Sequence, residues 1–128
     1  MQINSIKNNQ INTTFNATLK VKGGSNHLAD STLEGLTKKA KEIGTNVDKI
    51  TLNISDRITI LNPQTKTVKG YENYIRAQFS FLSLPKKAYC TMYSGAKGAT
   101  EENCNKNLSD ALDRLVNTIK DSYYYHKK

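Results

Sequence analysis

Tryptophan is absent from this chain, histidine and cysteine occur twice each, and no acidic residue precedes Asp30. His27 and His126 are too few and too isolated for a metal cluster or an acid–base pair. Cys90 and Cys104 make no CxxC and no metal-ligand spacing, so both are expected to be buried free thiols, with a disulfide the less favoured reading. No apolar run approaches the length of a membrane span or of the apolar stretch of a secretory signal. The start, Met1 to Asn9, is polar and Asn-rich and lacks the arginine of an organelle transit peptide. These absences lead us to expect a cytoplasmic protein with no membrane partner, opening with a flexible arm over residues 1–12.

Enzyme signatures are missing too. Gly95-Ala96-Lys97-Gly98-Ala99-Thr100 resembles a phosphate loop before a helix, but it lacks the Gly-Lys-Ser/Thr ending. Glu101 and Glu102 follow at once and would oppose an anion at that helix end. Nothing orders a serine, aspartate and histidine into a triad. The expectation is a non-catalytic protein with no cofactor and no metal.

What the chain does have is positive charge and clear alternation. Its 128 residues suit one domain, and the formal charge is +8. Residues 1–99 hold 14 basic against 6 acidic side chains, whereas residues 100–128 hold 5 of each. The basic field therefore belongs to the first part of the chain, and a field of that size attracts phosphate-bearing partners.

Phe15, Ala17, Leu19 and Val21 alternate with polar residues, giving a half-buried strand that Gly23-Gly24 ends. Ser31-Thr32-Leu33-Glu34 has the form of a capping box. Leu33, Leu36, Ala40 and Ile43 then share a helical face that Gly44 closes, with Lys38 and Lys41 outward. A strand from Lys49 to Ser55 follows, with Ile50, Leu52 and Ile54 inward. Arg57 to Leu61 either prolongs it or makes a separate short strand after a kink at Ser55-Asp56. Asn62 to Thr65 reads as a turn and Lys66 to Glu72 as a flexible connection. Tyr74–Phe81 and Ala88–Tyr93 alternate again on either side of Pro85-Lys86-Lys87. Gly95–Gly98 reads as a loop. Leu108, Ala111, Leu112, Leu115 and Ile119 mark a long helix from about Thr100 to Ser122, leaving residues 123–128 as a frayed tail.

The order β-α-β-β-β-α predicts an α+β fold over residues 13–122: a four-stranded sheet with two helices packed on one face. The other sheet face would then carry Lys20, Lys22, Lys49, Asn53, Arg57, Tyr74, Arg76, Gln78, Tyr89 and Tyr93. Basic side chains interleaved with tyrosine and amides suit phosphate contact plus stacking. They are also ordinary occupants of a solvated sheet face, and composition alone leaves both accounts standing.

The matching pieces Ala77-Gln78-Phe79-Ser80-Phe81, the turn at Pro85-Lys86-Lys87 and Ala111-Leu112-Asp113-Arg114-Leu115-Val116 resemble the ribosome hibernation-promoting factor family, also called ribosome-associated inhibitor A proteins, in a divergent short form. The helix after His27-Leu28-Ala29-Asp30, with Lys38, Lys39 and Lys41 at its end, resembles the family's opening helix. The resemblance spans roughly residues 14–122 at the level of pattern. It implies a stress-response protein that binds the small ribosomal subunit and its rRNA, occupies the mRNA/tRNA channel and silences translation, and is monomeric off the ribosome. Lys20, Lys22, Lys38, Lys39, Lys41, Arg57, Arg76, Lys86, Lys87 and Tyr89 are the expected RNA contacts. Thr118 and Asp121 stand where the family's last helix is more basic, which shifts the expected contact to the first helix and the open sheet face. A second reading, from a different class, is a small protein-binding inhibitor or secreted effector that shares the frame and has no RNA role.

Overall fold

The computed structural model describes residues 17–127. Five strands and two helices follow in the order β1 (Thr18–Lys22), α1 (Asp30–Ala40), β2 (Lys49–Ile54), β3 (Ile58–Leu61), β4 (Val68–Phe81), β5 (Ala88–Gly98) and α2 (Glu101–Lys127), with one 3-10 turn at Ser25–His27 before α1. The fold is α+β, with both helices on one face of a mixed sheet. β1 and β2 are parallel, joined through α1; β4 pairs antiparallel with β2, β3 and β5. β2 takes the C-terminal half of β4, Ile75 to Ser80, and β3 takes the N-terminal part, Val68 to Glu72. β5 runs along the other edge of β4 from Tyr71 to Phe81. β3 thus continues the line of β2 after a break at residues 55–57, and the sheet is four strands wide, as the pattern predicts.

The core lies between sheet and helices. Ile50, Leu52, Ile54, Ile75, Ala77, Phe79 and Phe81 meet Leu36, Ala40 and Ile43 from the α1 side and Leu108, Ala111, Leu112, Val116 and Ile119 from α2. Period two in the strands and 3.6 in the helices put every one of these on the shared face. Each large apolar side chain so buried contributes about 1.5–3 kcal/mol. Phe79 stacks on Phe81 with ring centroids 4.3 Å apart, and Phe81 meets the edge of Tyr123 at 5.0 Å.

Buried Asp48 ties the α1–β2 loop to the β4–β5 turn: its carboxylate accepts from Thr45 N at 2.8 Å, Ser83 N at 2.9 Å and the Ser83 hydroxyl. The loop that delivers it turns through Gly44 at φ +61°, where a Cβ would lie 2.0 Å from Asp48 Oδ2. No other residue fits there.

Several expectations give way to long-range packing. Helix α1 begins at Asp30, one residue before the expected cap. Ala29 precedes it without a side-chain cap, so Ser31 sits inside the first turn and the capping box does not form. The supposed flexible connection from Lys66 to Glu72 contains the start of β4, because β3 turns back through Asn62–Thr67 and pairs with it. Gly95–Gly98 is strand and not loop. Its carbonyls and amides pair with Tyr71 to Tyr74, and the bare Cα of Gly98 lets the first turn of α2 close over it (a Cβ there would meet Cys104 N at 2.3 Å). The tail is helical through Lys127 because Tyr123 is buried against Phe81 and anchors the last turns. Both thiols are free, but only Cys104 is buried: Cys90 is exposed, in the first part of β5 where no side chain is fully buried. The expected arm, residues 1–12, and Phe15 lie outside the described residues.

Candidate nucleic-acid interface

Because side chains alternate across a strand, the residues that do not enter the core form the second face of the sheet. Pairing register fixes their order in rows. Lys22, Asn53, Arg76 and Tyr93 lie side by side from β1 to β5; next come Lys20, Thr51, Gln78 and Thr91; then Thr18, Lys49, Ser80 and Tyr89. Basic groups occupy the β1 and β2 side, hydroxyls and amides the middle, and tyrosines the β5 edge. Tyr74 adds a third ring, diagonal to Tyr93 across the β4–β5 ladder. Tyr93 is 75% exposed, Tyr89 65% and Tyr74 53%, so none of the described residues covers them.

Two shallow depressions lie on this face. One of about 490 Å³ is lined by Lys49, Thr51, Gln78, Ser80, Tyr89 and Thr91. The other, about 280 Å³, lies among Asn53, Ser55, Tyr74, Arg76 and Tyr93. Each therefore combines one cation, at least one tyrosine and several groups able to donate or accept hydrogen bonds.

The electrostatics favour an anion. Between Tyr74 and Ser80 on β4, and on the facing parts of β1, β2 and β5, the open face carries no acidic residue. Its nearest acid is Glu72, which accepts from the Tyr74 hydroxyl at 3.1 Å and pairs with Lys97 at 3.6 Å. The other described ion pairs lie on the far side of the sheet, Lys39–Asp113 between the two helices and Lys120–Glu42 between α2 and the loop after α1. There the hydrogen bond from Lys120, and next its charge, hold the Glu42 carboxyl below its usual 4.5; bonding to Glu42 in turn raises Lys120. Lys20, Lys22, Lys49 and Arg76 take part in none of these pairs.

The expected contacts divide into groups. Lys20, Lys22, Arg76 and Tyr89 share the open face. Lys38 is exposed on α1 and Lys41 just past its end, with the sheet between them and that face. Lys39 is half-buried and committed to Asp113 on α2. Lys86 and Lys87 sit on the exposed β4–β5 turn, at the end of the sheet where β1, β2 and β5 begin. Arg57, expected on the open face, is instead turned to the helix side. Its guanidinium donates to Asn73 Oδ1 at 2.9 and 2.8 Å and reaches the Glu101 carbonyl at 3.5 Å. Buried Asn73 needs that donor, and its own amide donates to the Ser55 carbonyl at 2.9 Å. Lys49, Tyr74 and Tyr93 complete the face although they were not among the expected contacts; the period-two alternation of β2, β4 and β5 is the signal that places them.

No family model matches the chain, and no curated relative matches it.

Proposed function

We propose that this protein is a non-catalytic RNA-binding protein that acts on the small ribosomal subunit, occupying its mRNA/tRNA channel and silencing translation. The observation that carries the reading is the open sheet face, where Lys22 and Arg76 stand in register with Tyr93 and Lys49 with Tyr89, Lys20 lies in the row between them, and no acid intervenes. Lysine and arginine on a flat surface neutralise phosphates and release counterions, which supplies affinity without chemistry. The helix-backed sheet gives that surface a rigid base, so occupancy excludes other ligands sterically. The ribosome as the partner rests on the family resemblance of residues 14–122.

Co-sedimentation with ribosomes at low salt tests this. The protein is expected in the ribosomal pellet at about 50 mM salt and to leave it steeply as salt rises toward 200 mM. If it stays in the supernatant at low salt, the ribosomal reading fails, since phosphate-driven binding is strongest there.

One observation favours a protein partner instead. Among the described residues β5 pairs with β4 alone, and it carries no charged side chain from Ala88 to Ala96, the condition under which an edge strand accepts a partner strand. A pull-down recovering one stoichiometric protein and no rRNA would establish that reading over the first.

A further inference from the structure

We infer that the open sheet face is a platform for single-stranded RNA, on which two or three bases stack against Tyr89, Tyr93 and Tyr74 while the backbone runs along Lys20, Lys22 and Lys49. The inference rests on the RNA-binding reading above and specifies the form of RNA that this face takes. Duplex RNA offers a protein its phosphates and 2′-hydroxyls, with the bases stacked on one another and closed to aromatic side chains. A surface built only for a duplex needs cations and has no use for exposed rings. Here three tyrosines, each more than half exposed, stand on adjacent strands, and among the described residues only the Tyr74 hydroxyl has a partner, Glu72, which leaves all three ring faces open. A four-stranded sheet backed by two helices and bearing aromatic residues on its bare face is a general solution for splayed bases.

The geometry sets the path. Tyr89 and Tyr93 are four residues apart on β5, about 13 Å along the strand. That leaves the larger depression beside Tyr89 and the smaller one between Tyr74 and Tyr93 as separate base sites. In the first, Thr51, Gln78, Ser80 and Thr91 face the edge of a base stacked on Tyr89. In the second, Arg76 lies directly across from Tyr93, where its guanidinium can stack or donate to a base edge, and Asn53 is next in the row. Lys20 and Lys22 alternate on β1 at the opposite side of the sheet, two strand spacings from Tyr74 on β4 and three, about 14 Å, from Tyr89 and Tyr93 on β5, within reach of the phosphates of the same nucleotides. Hydrogen-bonding groups in the middle, rings on one side and cations on the other match the three parts of a nucleotide.

The test uses the full chain and three labelled probes: a ten-nucleotide RNA without self-complementarity, the DNA of the same sequence, and an RNA hairpin of equal length. Fluorescence anisotropy at low salt is expected to show the single-stranded RNA bound most tightly. Tyr89→Leu and Tyr93→Leu are each expected to weaken that binding about tenfold, whereas Tyr89→Phe and Tyr93→Phe, which keep the ring, leave it within about twofold. Tyr93→Leu replaces an exposed ring on a solvated face, so circular dichroism should match the parent and melting should stay close to it. Hairpin binding equal to single-strand binding, or Leu variants that bind the single strand as the parent does, would overturn the platform. So would equal affinity for the DNA, because the ligand would then not be RNA. Ribosome co-sedimentation of the same Leu variants separates the two ideas: binding to ribosomes with no single-strand binding overturns the platform and leaves the ribosomal reading intact.

Discussion

At the scale of single residues, charge in the sequence does not reveal what a side chain is spent on. Arg57 and Arg76 are alike in composition, yet Arg76 is exposed on the sheet face and Arg57 satisfies a buried amide. The break between β2 and β3 rotates the chain at residues 55–57, and the alternation that placed Arg76 correctly does not carry across it. Removing Arg57 leaves Asn73 Oδ1 buried with only the weak Cys104 thiol donor at 3.7 Å. An unpaired buried acceptor costs about 1–3 kcal/mol, so Arg57→Ala is expected to lower stability by that amount in urea unfolding. Its RNA affinity, measured where the variant is fully folded, should keep the parent's salt slope. A slope reduced by about one unit with unchanged stability would return Arg57 to the phosphate contacts.

At the scale of elements, local pattern located the apolar faces and missed the ends. β2 reads directly from alternation and α2 from its leucines, because each buries one face along its length; β1 and the first part of β5 keep the alternation although their inward side chains are only partly covered and Cys90 is exposed. Three segments were not legible in this way. Val68 to Glu72 is rich in polar residues and has a glycine, so only the facing strand β3 makes it a strand. Gly95–Gly98 has loop composition, and its glycines serve close approach to α2. Tyr123 stands in a run of three tyrosines at the end of the chain, where fraying is the default. Its contact with Phe81 comes from the far end of β4, 42 positions earlier, and no local rule anticipates it. Tyr124 supports the same turn by donating to the Glu42 carbonyl at 2.9 Å. Truncating a large buried ring costs about 3–5 kcal/mol, so Tyr123→Ala should shift the urea midpoint strongly while neighbouring Tyr125→Ala, whose ring is 73% exposed, should not. Equal, small effects for both would mean that the last turns of α2 do not hold the sheet.

At the scale of the whole molecule, chain direction sorts charge along the strand axis. β1 and β2 begin, β4 ends and β5 begins at one end of the sheet, and both helices finish there, as the Lys120–Glu42 pair and the Tyr123–Phe81 contact require. That end collects Lys38, Lys41, Lys86, Lys87 and Lys127, while Lys49 opens the sheet face beside them. Among its acids Asp48 is buried and bonded and Glu42 is paired, which leaves Asp121, in the last turns of α2, as an exposed carboxylate there. The opposite end holds Asp30, Asp56, Glu72, Glu101 and Glu102 mixed with Lys66, Lys69 and Lys97. Lys38 and Lys41 cannot share one flat RNA surface with Lys20 and Lys22, because the sheet lies between them. They can share a partner that wraps the basic end, which a folded rRNA pocket does and a short single strand does not. Two triple variants with the same change in net charge distinguish the ends. Lys38→Gln with Lys86→Gln and Lys87→Gln is expected to lower the salt slope of ribosome binding by about two to three units. Lys66→Gln with Lys69→Gln and Lys97→Gln, where nearby acids already cancel the field, is expected to change it by less than about one unit. Neither should alter the affinity of a short single-stranded RNA by more than its share of long-range attraction, a few-fold at about 50 mM salt. Equal losses from the two triples would show that the ribosome senses net charge alone and that this end of the sheet does not orient the protein.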